Sequence, residues 1–400
     1  MTILIVTNPE RDSHILGAIN ELQYRGHQIF TFNPGKLPVE GKISIEASKT
    51  CLRRELTVAG HTLDLDTVDA AWFRKPSTFE ISHDLPPDER DWLRMECNHL
   101  IRSLWEHTDA FWVSAPHLVQ RANHKLLQLH IAREMGFDIP DYIVTNRADG
   151  ARAFVARHPQ GVIVKALASP TLESLEAPGM IYTHRLSADD IHQLDAVAYG
   201  PTYLQEFVRK KFDIRVSVFG ERLFAVAIDA TATPEGQIDF RRLDMFKIPH
   251  HAIELPQALA DKCIELVRRL GLRFGAIDFL QTPDDEFVFL EINPNGQWIW
   301  MEMLTDLPMT QALCDLLESG IPEQRQPPRP QPVAADRPAQ REPQLLPIGD
   351  QQLSLPGAAA RWLEASDAHA VERLSATNVI FEQEAGNVSV HFGDIEAPSE

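Results

Sequence analysis

Apolar residues in this chain follow two rhythms. Runs such as ILIVT (3–7) are continuous, as in a strand covered on both faces. The stretch after it, SHILGAINELQYRG, spaces Ile15, Ile19 and Leu22 at helical intervals. Gly26 is placed to stop that helix before QIFTF starts a second strand. The chain therefore opens β-α-β, in the manner of an open sheet. VDAAWFRKP (68–76) predicts a further strand stopped by Pro76, and residues 88–107 predict an amphipathic helix. Within 122–145, a helix is predicted up to Gly136 and a strand after Pro140. GVIVKAL (161–167) and TYLQEFV (202–208) read as strands. FDIRVSVFG (212–220) and RLFAVAIDA (222–230) read as two strands joined by a tight turn. ALADKCIELVRRLGL (258–272) predicts a helix, and FGAIDFL (274–280) with EFVFLEIN (286–293) a hairpin across TPDDE. No internal repeat is present.

The pattern changes at its end. Eight prolines fall within 322–347, with Gln, Arg and Ala between them, which predicts an extended linker. The tail at 348–400 has apolar clusters fit for a small helix and hairpin. A chain of 400 residues is long enough for two or three domains. Its net charge of −19 argues against duplex nucleic acid as a partner, because that footprint is basic. The opening MTILIVTNPERD has no basic region of the kind a signal peptide carries, and no apolar run is long enough for a bilayer. Cys51, Cys97, Cys263 and Cys314 form no CxxC pair, which gives no zinc signature and fits reduced thiols in the cytoplasm.

Candidate chemistry gathers where strands end. Glu291 and Asn293 are two apart on one strand, so they share a face. Asp278 lies on the preceding strand, which can pair with theirs across the turn. Two carboxylates and an amide oxygen suit Mg²⁺, which is usually shared with substrate phosphates. The plain alternative is a hairpin whose exposed face is polar. Lys165 sits within an apolar strand, where a lysine is rarely buried without a partner. Lys125 opens a helix, a commoner place for lysine. Asp213 and Arg215 share a face at a strand start, and Arg241 and Arg242 follow the next hairpin. Arginines there can stabilise charge on a phosphoryl or acyl-phosphate group. Solvated ion pairs are the ordinary reading of such residues.

The order of these pieces carries more than any one of them. Lys125, Lys165, LQEFV (204–208), FDIR (212–215), FRR (240–242), AIDF (276–279) and FLEINPNG (289–296) together resemble the ATP-grasp superfamily. AAWFRKP (70–76), KLLQLHIAREMGFDIPDYIVT (125–145), IYTHRL (181–186), IDFRRLD (238–244) and NPNGQW (293–298) resemble the graspetide, microviridin-type synthetases within the ribosomal-S6-glutamate-ligase branch. The resemblance spans about residues 1–320. Two features depart from it. The loop ALASPTLESLEAPGM (166–180) holds a single glycine, a poverty shared by the peptide maturases, and everything after about 321 lies outside the pattern.

The resemblance implies an α/β (α+β) ATP-grasp fold. An N-terminal open-sheet domain (1–115) would precede a central lobe (116–200) and a C-terminal lobe (201–320) enclosing ATP, then the linker (321–347) and tail (348–400). It implies adenine at Gln205, Glu206, Phe207 and Val208, ribose near Asp213, and phosphates held by Lys125 and Lys165. It implies two Mg²⁺ ions on Asp278, Glu291 and Asn293, with Arg215 and Arg241 catalytic. The expected activity is ATP-dependent ester or amide cross-linking of a precursor peptide with a leader and an acidic and hydroxyl core. The expected setting is cytoplasmic, without nucleic acid or membrane, and with a homodimer allowed. Two rivals keep the same nucleotide residues: a ligase adding an amino acid to a protein or small molecule, and a regulatory ATP-binding protein without catalysis.

Overall fold

The computed structural model describes residues 2–9, 12, 14–168 and 181–320, and the strands at 171–172, 179–180, 345–348, 351–354, 372–374, 379–384 and 387–392. Apart from those strands, the linker and tail expected after 320 lie outside the described residues, as does most of the glycine-poor loop at 166–180. Two units form. One takes Met1–Val119, Leu272–Phe274 and the chain from Gln297; the other takes Gln120–Gly271 and Gly275–Gly296.

The first unit is built on a parallel sheet whose order is Gln28–Phe32, Thr2–Val6, Val68–Phe73, Phe111–Val113. Ile3, Leu4, Ile5 and Val6 are all fully buried, which is why that run shows no alternation. The helix Pro87–Glu106 packs Ile101, Leu104 and Trp105 against Phe32 and Trp112. Between the second and third sheet strands lies an antiparallel meander, Gly41–Ala47, Leu52–Val58 and His61–Asp64, which the sequence pattern did not announce. Its outer face is charged and only Leu56 and Leu63 turn fully inward, so the apolar signal is thin.

Later chain completes this unit. The helix Met309–Ser319 buries Met309, Leu313, Cys314 and Leu317 completely and packs on His14–Tyr24. Arg25 bonds both Asp315 (2.7 Å) and Glu318 (3.0 Å), and His27 bonds Glu318 at 2.8 Å. The start of the helix Ile299–Thr305 is held by an imidazole. His14 Nε2 accepts from the Trp298 and Ile299 amides at 3.0 and 3.1 Å, while Nδ1–H donates to Asp12 at 2.7 Å. Burial, then the Arg74 charge, pushes His14 down to about 4, so the ring is neutral and free to accept.

The second unit holds two antiparallel arrays. One runs His184–Arg185, Val162–Lys165, Thr202–Glu206, Tyr142–Thr145. Ala151 and Phe154 of the helix Ala148–Arg157 pack against it with Val162, Leu194 and Leu204. The other is five-stranded, in the order His250–Ile253, Arg222–Ile228, Phe212–Phe219, Phe274–Gln281, Phe287–Asn293. The helix Lys125–Glu134 ends where expected. Gly136 takes φ +73°, and the Phe137 amide closes back on the Ala132 carbonyl at 3.0 Å. Among the described residues no helix is long and apolar enough to cross a membrane.

Candidate active site

The acidic pair comes from a register irregularity. Asp278 lies directly opposite Glu291, but its neighbour Phe279 pairs with Phe289, so Leu290 is an extra residue on the edge strand. Phe279 and Phe289 are both almost wholly buried, with ring centroids 5.8 Å apart. Without the bulge, Phe289 and Glu291 would share a face. With it, Phe289 joins the core while Glu291 stands beside Asp278. Asn293, further along, is exposed, and its Oδ1 accepts the Asn295 amide at 2.9 Å. The Pro-Asn-Gly turn then leaves the sheet at a tight contact. A Cβ on Gly296 would lie 2.2 Å from Ala276 Cβ.

Each carboxylate has a cation. Lys125 Nζ donates to Glu291 Oε2 at 2.5 Å, and Arg215 Nε donates to Asp278 Oδ1 at 2.5 Å. The two acids diverge as a result. Burial raises Glu291, but Lys125, Lys165 and Arg241 together outweigh it and hold the carboxyl below its ordinary range. Burial raises Asp278 too, and the Glu291 charge adds to it against Arg215, so the net shift is upward. Lys165 is half-buried, on the strand that pairs with Tyr203. Burial first, then the charges of Lys125 and Arg241, push it down to about 8 against the pull of Glu291 and Asp239.

Arg241 is held by a residue the sequence did not single out. Asp239 takes the Arg241 guanidinium with both oxygens, at 2.8 and 2.7 Å, and accepts the Arg241 and Thr183 amides at 3.1 Å each. Arg242 returns a bond from Nη2 to the Thr183 carbonyl at 3.1 Å and lies 5.1 Å from the Tyr182 ring. The signal was present: Asp239 precedes Arg241 by the same two residues that separate Asp213 from Arg215.

The proposed adenine and ribose residues are placed less openly. Gln205 is buried and accepts from Tyr203 OH at 3.2 Å. The Glu206 amide donates to the Asp141 carbonyl and its Oε1 accepts the Asp141 amide, while the Phe207 amide donates to Gly161. Among the described residues, no backbone acceptor takes the Val208 amide beyond them. Asp213 is buried against Lys210, 2.6 Å away, and desolvation raises it to about 6 in spite of that lysine. Its carboxylate is therefore already engaged.

The donor set fits a magnesium–nucleotide complex. Two carboxylates and an amide oxygen stand on neighbouring strand ends with lysines and arginines around them. Among the described residues no group of three His, Cys, Asp or Glu is placed to hold a metal by itself. Mg²⁺ shared with a nucleotide draws its remaining ligands from phosphates and water.

The fold is that of the ATP-grasp ligases. Residues 2–120 match the model of the MvdD pre-ATP grasp domain. The chain is similar to the macrocyclase MdnC of Microcystis aeruginosa MRC, solved with its precursor peptide MdnA, at 26% identity and TM-score 0.71, over 80% of this chain and 100% of that one. It is similar to a RiPP-associated ATP-grasp ligase of Chryseobacterium gregarium, solved with ADP and a leader and core peptide. The identity there is 25% and the TM-score 0.73, over 82% of this chain and 99% of that one. The macrocyclase MdnB of Microcystis aeruginosa MRC matches at 29% identity and TM-score 0.67, over 79% and 98%. No curated protein matches the chain by sequence.

Proposed function

We propose that this chain joins side chains of a ribosomally made precursor peptide, spending one ATP for each ester or amide bond. The single observation that carries the reading is the Asp278–Glu291 pair, flanked by Lys125 and Arg215 within one unit. The precursor peptide bound to MdnC, and the leader and core peptide bound to the Chryseobacterium gregarium ligase, support a peptide as substrate.

Lys125 and Lys165 hold phosphate oxygens, and Asp278, Glu291 and Asn293 hold Mg²⁺, as two ions. The metal supplies neutralisation of phosphate charge. Adenine lies along Gln205–Val208, where the Val208 amide is the available donor, and ribose lies near Asp213. A substrate carboxylate oxygen attacks the γ-phosphorus, the bond to ADP breaks, and an acyl phosphate forms. A hydroxyl or amine then attacks the acyl carbon, loses its proton, and expels inorganic phosphate. Arg215 and Arg241 face the oxygens on which charge grows, where a planar guanidinium can hold two at once. Such catalysis is mostly positioning and neutralisation.

The test is mass spectrometry of a precursor peptide, rich in Thr or Ser, Lys, and Asp or Glu, after incubation with enzyme, ATP and Mg²⁺. One water lost per ring, with one phosphate released, is the expected result. Glu291→Gln should lower the rate by roughly 10²-fold or more, since a ligand charge is lost among several phosphates. A gain in mass by an added amino acid would replace cross-linking with the amino-acid ligase, and phosphate release without peptide change would remove the peptide from the reading.

A further inference from the structure

We propose that Gln128 is a positioning residue for this site, which fixes the edge strand carrying Glu291 and Asn293 against the helix carrying Lys125. The inference rests on the nucleotide-site reading above.

Phe287–Asn293 is the last strand of its sheet, so one side of its backbone has no neighbouring strand. An edge of this kind leaves amides and carbonyls to be satisfied by other means. Two contacts do so here. The Phe289 amide donates to the Asp138 carbonyl at 2.8 Å. Further along, Gln128 takes both polar groups of Ile292: its Oε1 accepts the Ile292 amide at 3.1 Å, and its Nε2 donates to the Ile292 carbonyl at 2.8 Å. The same Nε2 donates to the Ala122 carbonyl at 2.6 Å. The carboxamide thus acts as one rung of a missing strand. It is 2% exposed, so water cannot readily replace it.

The place of this rung matters. Ile292 is the residue between Glu291 and Asn293, and just before them the bulge at Leu290 loosens the ladder. A bulged edge strand has freedom to twist that a regular one lacks. Gln128 removes that freedom at the residue whose two neighbours are the proposed metal ligands. Gln128 also lies one helical turn after Lys125, so both project from adjoining parts of one helix. Lys125 reaches Glu291 by an ion pair, and Gln128 reaches Ile292 by two hydrogen bonds. The helix therefore grips the strand at consecutive residues. The spacing of phosphate-side lysine and metal-side carboxylate is set by the amide as well as by their own attraction.

Gln128→Met keeps the length and volume of the side chain and removes both hydrogen bonds, and Gln128→Glu keeps an acceptor for the Ile292 amide and loses the donor. Three measurements test them on the full chain. In ligand-free protein, the Ile292 amide should exchange with solvent about tenfold or more faster in Gln128→Met, and less so in Gln128→Glu. At saturating ATP, the Mg²⁺ needed for half-maximal phosphate release should rise about 10–100-fold in Gln128→Met, as loss of an outer support of a metal ligand does. Metal-free ADP binding by calorimetry should stay unchanged. Faster exchange with an unaltered Mg²⁺ requirement makes Gln128 a purely structural bond and overturns the proposal, as does an unaltered exchange rate. Should Gln128→Met fail to fold, the same two measurements on Gln128→Glu decide. Glu291→Gln separates the two readings: if it leaves Mg²⁺ dependence untouched, the metal site itself is misplaced, whatever Gln128 does.

Discussion

Lys165 carries the sharpest consequence at the scale of one residue. Its ammonium is half-buried among charges of both signs, and burial holds its pKa at about 8 against an ordinary 10.5. Between those values the unfolded chain keeps the proton and the folded chain does not. The lysine therefore costs stability below about pH 8, and the loss is recovered as pH rises from about 8 to 10.5. Phosphate binding runs the other way, because it needs the charge. Ligand-free protein should gain stability from this group across that window while ATP affinity falls. Denaturant titrations and calorimetry at stepped pH check both trends, and Lys165→Met should flatten the Lys165 part of each. Trends with the same sign would remove the lysine from the phosphate. Lys165 and Glu291 were legible in the sequence because charge inside an apolar pattern is conspicuous, whereas Lys125, on a helix, stood out only through the family resemblance. Gln128 was not, and the spacing of Asp239 to Arg241 was present but not enough to single it out. A glutamine on a helix is ordinary, and the backbone Gln128 binds is 164 residues away. Only the fold shows the Asp239 carboxylate closing on both Arg241 and Thr183.

At the scale of elements, the hairpin 274–293 does the most to set the site. Its strands, turn and stop were legible from apolar runs and from Pro-Asn-Gly. The bulge at Leu290 was not, because one extra residue leaves composition and apolar content unchanged while altering which residues face each other. The end of the hairpin depends on a missing side chain. Gly296 approaches Ala276 so closely that an added Cβ would sit 2.2 Å from Ala276 Cβ. Gly296→Ala should destabilise the protein by about 1–3 kcal/mol through overpacking against a sheet backbone that cannot yield easily. Thermal melts would measure it, and Mg²⁺-dependent turnover should fall with it, since Asn293 opens the same turn. An unchanged melting temperature would show that the turn relaxes freely. The meander at 41–64 is the counterexample: its strands are regular but mostly exposed, so their polarity hid them.

At the scale of the whole molecule, sequence spacing and spatial grouping part company. The family resemblance implies divisions at 115, 200 and 320, whereas in space Leu272–Phe274 and the chain from Gln297 group with Met1–Val119. Linear motif order cannot show such a return. Its energetic content is in the helix Met309–Ser319, four of whose side chains are fully buried and whose Glu318 joins Arg25 and His27. A chain ending at Thr305 should lose cooperative melting of the first unit. Differential scanning fluorimetry with near-ultraviolet circular dichroism checks this. A cooperative melt of the shorter chain at the full-length temperature would show that the helix is dispensable.

That late helix also has a consequence during synthesis. The parallel sheet leaves the ribosome early, yet the part of His14–Tyr24 around Ala18 that faces Cys314 stays uncovered until Met309–Ser319 has been made. At about 5–20 residues per second the delay is on the order of ten seconds or more. Over that interval a nascent chain leaves that part of the helix without its late partner. The first unit to be translated is therefore among the last to be finished, and it is the one a chaperone has most reason to hold.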